Sequence, residues 1–213
     1  MTDGNAIAGE IADCFGHDSM PALFARIASF EGYFATTWQR YKSVMWSGEI
    51  ERPTKELMGL AVAIAKSNEY MVALQRGQMR AAGLGPEEEL EALAVADFFE
   101  GFDGFAQALH IDSDIRPRKI EAGDLSHIDQ EVDVNVPYVV TSDDATVNEV
   151  YGEIRARMGI PFIPNIFKAL ANQPAMLKTK WECYKAIMGP GRLRPLTKEL
   201  IAVTVSAVNG CFY

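Results

Sequence analysis

Near the end of the sequence, in the stretch TKELIAVTVSAVNGCFY, eleven residues separate a glutamate from a cysteine, Glu199 from Cys211. A carboxyl group at the right pKa gives and takes protons, and a thiolate attacks peroxides and disulfides. The residues between them form an apolar run with helical spacing, opened by Thr197 and a charged pair and closed by the turn signal Asn209-Gly210. Twelve residues of straight helix set the two groups about 18 Å apart. They can serve one site only if the chain folds back at the turn.

The other chemistry-bearing residues make a weaker pattern. Cys14 and Cys183 are far apart in the sequence, and a small apolar thiol is more often a packing residue than a reactive one. His17, His110 and His127 lie in or near turns without the spacing of a metal site, so neither a metal nor a cofactor is expected. Gly83 and Gly85 sit between two helical patterns and read as a cap and a turn, not as a phosphate-binding loop.

Composition narrows the partners. The chain has 213 residues, 48% of them apolar, and a formal charge of −9. That balance disfavours nucleic acid and anionic membranes as partners. No apolar run is long enough to span a bilayer, and the N-terminus lacks the basic and apolar regions of a secretory signal. Three widely spaced cysteines do not form a disulfide framework, so a reducing cytoplasm is expected.

The elements that would hold Glu199 and Cys211 are foreshadowed earlier in the chain. Residues 10–70 lie on residues 153–213 with a constant offset of 143 and no gap, and 18 of these 61 positions are identical. Trp38 falls on Trp181, Tyr41-Lys42 on Tyr184-Lys185, Thr54-Lys55-Glu56-Leu57 on Thr197-Lys198-Glu199-Leu200, and Tyr70 on Tyr213. The period is too long for a solenoid unit. Two tandem copies packed as a pseudo-dimer are expected, with the matched tryptophans and tyrosines as core or interface residues. The organisation expected is a first repeat at 1–110, a linker or arm at 111–145, and an incomplete second repeat at 146–213.

Period-three-and-four apolar spacing predicts helices at 6–14, from Pro21, at 31–47, and at 55–82 as one long helix or a pair. It predicts another from Pro86 through Phe98, Phe99, Phe102 and Phe105, then helices at 146–158, 164–172, 174–188 and 197–209. Thr54 reads as an N-cap, with Glu56 in the first turn. A short extended piece is expected at Val132 to Val140. The class is all-α. Because the second copy stops at Tyr213, exposed apolar surface is expected there.

The arrangement Glu-(eleven residues)-Cys-Phe-Tyr resembles the first half of the motif Glu-(eleven residues)-Cys-x-x-Cys-x-x-x-His of the alkylhydroperoxidase D / carboxymuconolactone decarboxylase family. The resemblance implies an all-α alkylhydroperoxidase-like fold and a homo-oligomer. It also implies a thiol-dependent peroxidase activity of peroxiredoxin type, acting on a peroxide or other small molecule with a thiol or dithiol reductant protein. It makes Cys211 the resolving thiol, Glu199 a proton relay, and Tyr213 the aromatic spacer beside the second cysteine; the three together are the candidate catalytic residues. That second cysteine and the histidine would follow Tyr213. A plain truncation and a selenocysteine codon read as a stop are both compatible with this, and the downstream nucleotide sequence distinguishes them. In the first copy the matching positions are Asn68, Met71 and Gln75, which cannot do thiol chemistry, while Glu56 is kept. Glu199 therefore reads either as a relay or as a helix-start residue. Two other functions stay open: a decarboxylase-like proton-transfer enzyme using Glu199 alone, and an inactive homologue that only assembles with other subunits.

Overall fold

The computed structural model describes residues 4–16, 18–114, 136–211 and 213. Among them it holds ten α-helices and no strand: α1 Gly4–Phe15, α2 Ala22–Ile27, α3 Glu31–Met45, α4 Arg52–Ala65, α5 Glu69–Ala81, α6 Pro86–Ala108, α7 Ala145–Met158, α8 Asn165–Leu170, α9 Pro174–Ile187 and α10 Pro195–Asn209. The fold is all-α. The described helices include none long and apolar enough to cross a membrane.

Contacts divide the chain into Met1–Ala92 and Leu93–Tyr213. The division falls inside α6, whereas similarity along the sequence closes the first copy at 110. The reason is packing: Phe98, Phe102 and Ala106 of α6, with Ile111, join the core made by α7, α8 and α9. Most of the expected linker 111–145 lies outside the described residues, as do 132–135 of the expected extended piece. Residues 136–140 form no strand. They are tied to α7 and α8 instead: the Val139 amide donates to the Lys168 carbonyl at 3.1 Å, and the Tyr151 hydroxyl donates to the Val139 carbonyl at 2.6 Å.

In the first unit, α1, α2 and α3 bury Ile7, Ile11, Phe15, Phe24, Phe34 and Trp38 together. Trp38 stacks on Tyr41 at 5.5 Å, and its indole N–H donates to Glu10 at 2.9 Å, which also binds Lys42 at 2.8 Å. The second unit makes the same contacts 143 positions on. Trp181 stacks on Tyr184 at 5.2 Å, and Glu153 accepts from Trp181 at 2.7 Å and from Lys185 at 2.6 Å. Both tryptophans are therefore core residues of their own unit.

The 55–82 run is a pair of helices. Ser67, at φ 50°, breaks it, and the Asn68 side chain caps α5 by accepting from the Met71 amide at 3.1 Å. The start of α4 differs from expectation. It begins at Arg52 with Pro53 in the first turn, so Thr54 lies inside the helix and does not cap it. Glu56 is beyond the first turn and fully buried, held by Arg52 Nε at 3.0 Å, with its Oε2 unpartnered. α6 starts as expected, with Pro86 and three acids in its first turn, and Glu88 reaches back to the Gly85 amide at 2.9 Å.

Burial pushes the Glu56 carboxyl above the usual carboxylate range, and the Arg52 bond offsets this only in part. A raised folded pKa contributes stability at low pH that is lost as pH rises through it. Glu56→Gln is therefore expected to flatten the fall in unfolding free energy as pH climbs above the ordinary glutamate value of 4.5. Urea unfolding at a series of pH values checks this; an unaltered slope would show that Glu56 is ionised without penalty.

Leu60 of α4 is 0% exposed in a helix packed against α5, while its counterpart Val203 on α10 is 65% exposed.

Candidate functional site

α10 presents the glutamate and then reverses the chain. Arg194 is extended before it, Pro195 opens it, and Gly210 ends it at φ 68°, ψ 28°. That left-handed backbone is easy for glycine and costly for most other residues. The Gly210 amide donates to the Ala207 carbonyl at 3.2 Å and the Cys211 amide to the Ser206 carbonyl at 3.0 Å, which closes the helix end. The turn read from Asn209-Gly210 is thus present, and it sends the chain back toward the core.

Glu199 lies one turn inside α10, too far in to cap it. No acid occupies the first turn, so a helix-start role is not what this residue performs. Its side chain keeps exposed surface, yet the surrounding protein removes enough water to push its carboxyl pKa up. No described hydrogen bond or ion pair engages that carboxylate. It forms part of the wall of a pocket of about 230 Å³, with Phe98, Phe99, Phe102, Phe167 and Tyr184 as the apolar lining and Asp103, Ser206 and Tyr213 as polar edges.

The three expected site residues are brought together unequally. Tyr213 and Glu199 share this pocket. The Tyr213 hydroxyl donates to Asp114 Oδ2 at 2.6 Å and accepts from the Ile166 amide at 3.0 Å. Burial, reinforced by the Asp114 bond, holds that phenol protonated far above neutral pH. Its structural counterpart Tyr70 accepts from the Leu23 amide at 3.0 Å in the first unit. Cys211 does not line the pocket. It is half-buried against the second unit's core, with its thiol facing Asp103 and the Tyr213 backbone. Burial pushes the thiol up, the Tyr213 backbone bond opposes that, and the Asp103 carboxylate adds two smaller upward contributions.

Asp103 connects the two parts of the site, and sequence reasoning passed over it. It is 5% exposed, lines the Glu199 pocket, touches Cys211, and accepts from Ser206 Oγ at 2.8 Å and Asn209 Nδ2 at 3.2 Å. The available signal was one acid embedded in the stripe of Phe98, Phe99, Phe102 and Phe105. A carboxylate inside such a stripe must find donors when the helix is buried.

The remaining cysteines differ from expectation in one case. Cys14 is half-buried against the first core, with Arg52 Nη2 at 3.9 Å. Cys183 is exposed on α9, on the outward side of the helix that buries Leu177 and Trp181. His17 and His127 lie outside the described residues, and His110 sits in the turn after α6 at φ 52°. No group of three or more metal-ligating side chains occurs among the described residues.

In the first unit, Asn68 is a helix cap, and Gln75 is buried against Gly59, where an added Cβ would come within 2.7 Å of its amide nitrogen. This is the part of the chain that a family model matches: residues 31–114 match the carboxymuconolactone decarboxylase family. No curated protein and no solved structure matches the chain.

Proposed function

We propose, from the match of residues 31–114 to the carboxymuconolactone decarboxylase family, that the chain is an alkylhydroperoxidase-like thiol oxidoreductase. In it Glu199 moves protons and Cys211 is the resolving thiol. The supporting observation is the shared pocket. After Gly210 reverses the chain, Tyr213 returns to the wall that Glu199 helps to build, and the motif places its attacking cysteine directly after Tyr213. Contacts repeated at an offset of 143 support reading the chain as two copies of one unit, of which the second bears the chemistry.

The chemistry follows from these placements. The attacking thiolate takes the distal oxygen of a peroxide, the O–O bond breaks, and the departing alkoxide takes a proton. Burial raises the pKa of the Glu199 carboxyl, which makes it a better holder of that proton than an exposed glutamate. The Cys211 thiol then loses its proton and attacks the sulfenic sulfur; a disulfide forms and the oxygen leaves as water. A dithiol reductant restores both thiols by exchange. A thiol held up by burial and by Asp103 suits this second step better than the first. Tyr213, locked on Asp114, acts as a fixed aromatic wall.

The test is dithiol-dependent peroxide consumption by a chain carrying a cysteine directly after Tyr213 and a histidine four residues beyond it. Cys211→Ser is expected to remove turnover, and Glu199→Gln to lower it by about 10²-fold. A rate indifferent to Cys211→Ser rejects the thiol mechanism.

A second reading has its own support. The Glu199 carboxylate is unpaired and faces an aromatic pocket, which also suits proton transfer on a small unsaturated substrate without redox chemistry. Under it Glu199→Gln abolishes turnover of such a substrate and Cys211→Ser leaves it unchanged.

A further inference from the structure

We propose that a wide cleft beside Glu199 binds a planar aromatic molecule carrying an N–H donor, because the first unit fills the matching place with side chains of that chemistry. The cleft has a volume of about 860 Å³, and Tyr184, Gly189, Pro195 and Glu199 are among its walls. At the offset of 143 these positions are Tyr41, Trp46, Arg52 and Glu56. In the first unit the four form one assembly. The Arg52 guanidinium lies over the Trp46 ring at 4.3 Å and donates from Nε to Glu56 at 3.0 Å. The Trp46 ring meets that of Tyr41 edge-on, with 5.8 Å between centres.

The second unit keeps the two ends of this assembly and lacks its middle. Tyr184 and Glu199 remain, whereas a glycine and a proline stand where the indole and the guanidinium were. The frame around the two places is the same. Lys55 donates to the Val44 carbonyl at 2.6 Å, and Lys198 to the Ile187 carbonyl at 2.9 Å, each 143 positions on. Position 189 has no room for a side chain, since a Cβ there would come within 2.7 Å of the Lys185 carbonyl oxygen. The backbone itself therefore keeps the cleft open. The arginines of the cleft do not stand in for Arg52. Arg157, at the position of Cys14, donates from Nη2 to the Met188 carbonyl at 3.2 Å, and its guanidinium lies 5.9 Å from the Tyr184 ring. Arg192 and Arg194 hold partners of their own. A ligand that completes the set needs a flat ring to lie against Tyr184, as Trp46 lies against Tyr41, and an N–H to meet the Glu199 carboxylate, as Arg52 meets Glu56. Such binding needs neither thiol nor peroxide, so it stands or falls apart from the oxidoreductase reading.

Indole and benzofuran separate ring from donor, because they share an outline and only indole carries an N–H. Amide NMR titration of the full chain, read at Gly189 and Glu199, gives both the affinity and the place. Indole is expected to shift these amides and to bind about tenfold more tightly than benzofuran. Pro195→Arg copies the start of α4 and sets a guanidinium four residues before Glu199. It is expected to weaken indole binding about tenfold, because the chain then occupies the carboxylate itself. Glu199→Gln is expected to shrink the preference for indole, and it decides the matter if Pro195→Arg fails to fold. Equal affinities, no binding of either probe, or shifts that leave Gly189 and Glu199 unmoved overturn the proposal. So does indole binding unaltered in a folded Pro195→Arg chain, or a preference undiminished in Glu199→Gln. If indole binds as expected and no peroxide is consumed, only the thiol reading falls; if peroxide is consumed and neither probe binds, only the cleft assignment falls.

Discussion

Trp181→Ala is expected to lower the unfolding free energy by about 3–5 kcal/mol. The indole is 0% exposed, stacks on Tyr184, and meets the edge of Phe167 at 5.7 Å. Truncation removes those contacts and leaves a void that the surrounding helices can close only partly. It also strips Glu153 of one of its donors, leaving the bond to Lys185. A folded chain of this kind holds only about 5–15 kcal/mol in total, so the loss is a large share of its stability. Urea denaturation followed by far-UV circular dichroism measures it. Trp38→Ala should cost a similar amount in the first unit, where the stacking and the Glu10 bond are the same. A midpoint unmoved by either substitution would mean that these rings are not the centres of their cores.

Removing Asp103 is expected to act on stability and on thiol chemistry together. Asp103→Ala removes the acceptor of the bonds from the Ser206 hydroxyl and the Asn209 amide, and each half-buried bond so lost costs about 0.5–1.5 kcal/mol. Both donors sit on the last turn of α10, so the helix end that carries the Gly210 turn loosens. The milder Asp103→Asn keeps the shape and removes the charge. Burial is the larger cause of the raised Cys211 pKa, and it persists in this variant, but the carboxylate's contribution disappears. Alkylation of Cys211 by iodoacetamide, followed by mass spectrometry across pH 7–9, is expected to speed up in Asp103→Asn because more of the thiol is ionised. An unchanged alkylation profile would show that the carboxylate does not act on the sulfur.

These expectations show how differently the parts of the protein can be read. The helices of both copies were legible because each buries one stripe of apolar residues, and a stripe at three-and-four spacing is a property of the local sequence. The errors came where a start signal was read without its neighbours. Thr54 resembles an N-cap, but Pro53 is acceptable in a first turn, so α4 starts at Arg52 and carries Glu56 into the interior. Cys183 reads as a packing residue because cysteines are often buried, but its position relative to Trp181 turns it outward.

By itself the sequence determined the all-α class, the constant offset of 143, the turn at Asn209-Gly210, and the pairing of Glu199 with Cys211 as candidates. Each depends on residue type and short-range spacing. Only the tertiary structure decided that Glu199 meets Tyr213 at one pocket, that Cys211 stands behind Asp103, and that α6 lends its second half to the core of 93–213. It also decided that three arginines separated by as much as 37 positions share one cleft. Those are contacts between residues far apart along the chain, and their partners are chosen by how whole helices pack, which no local pattern encodes.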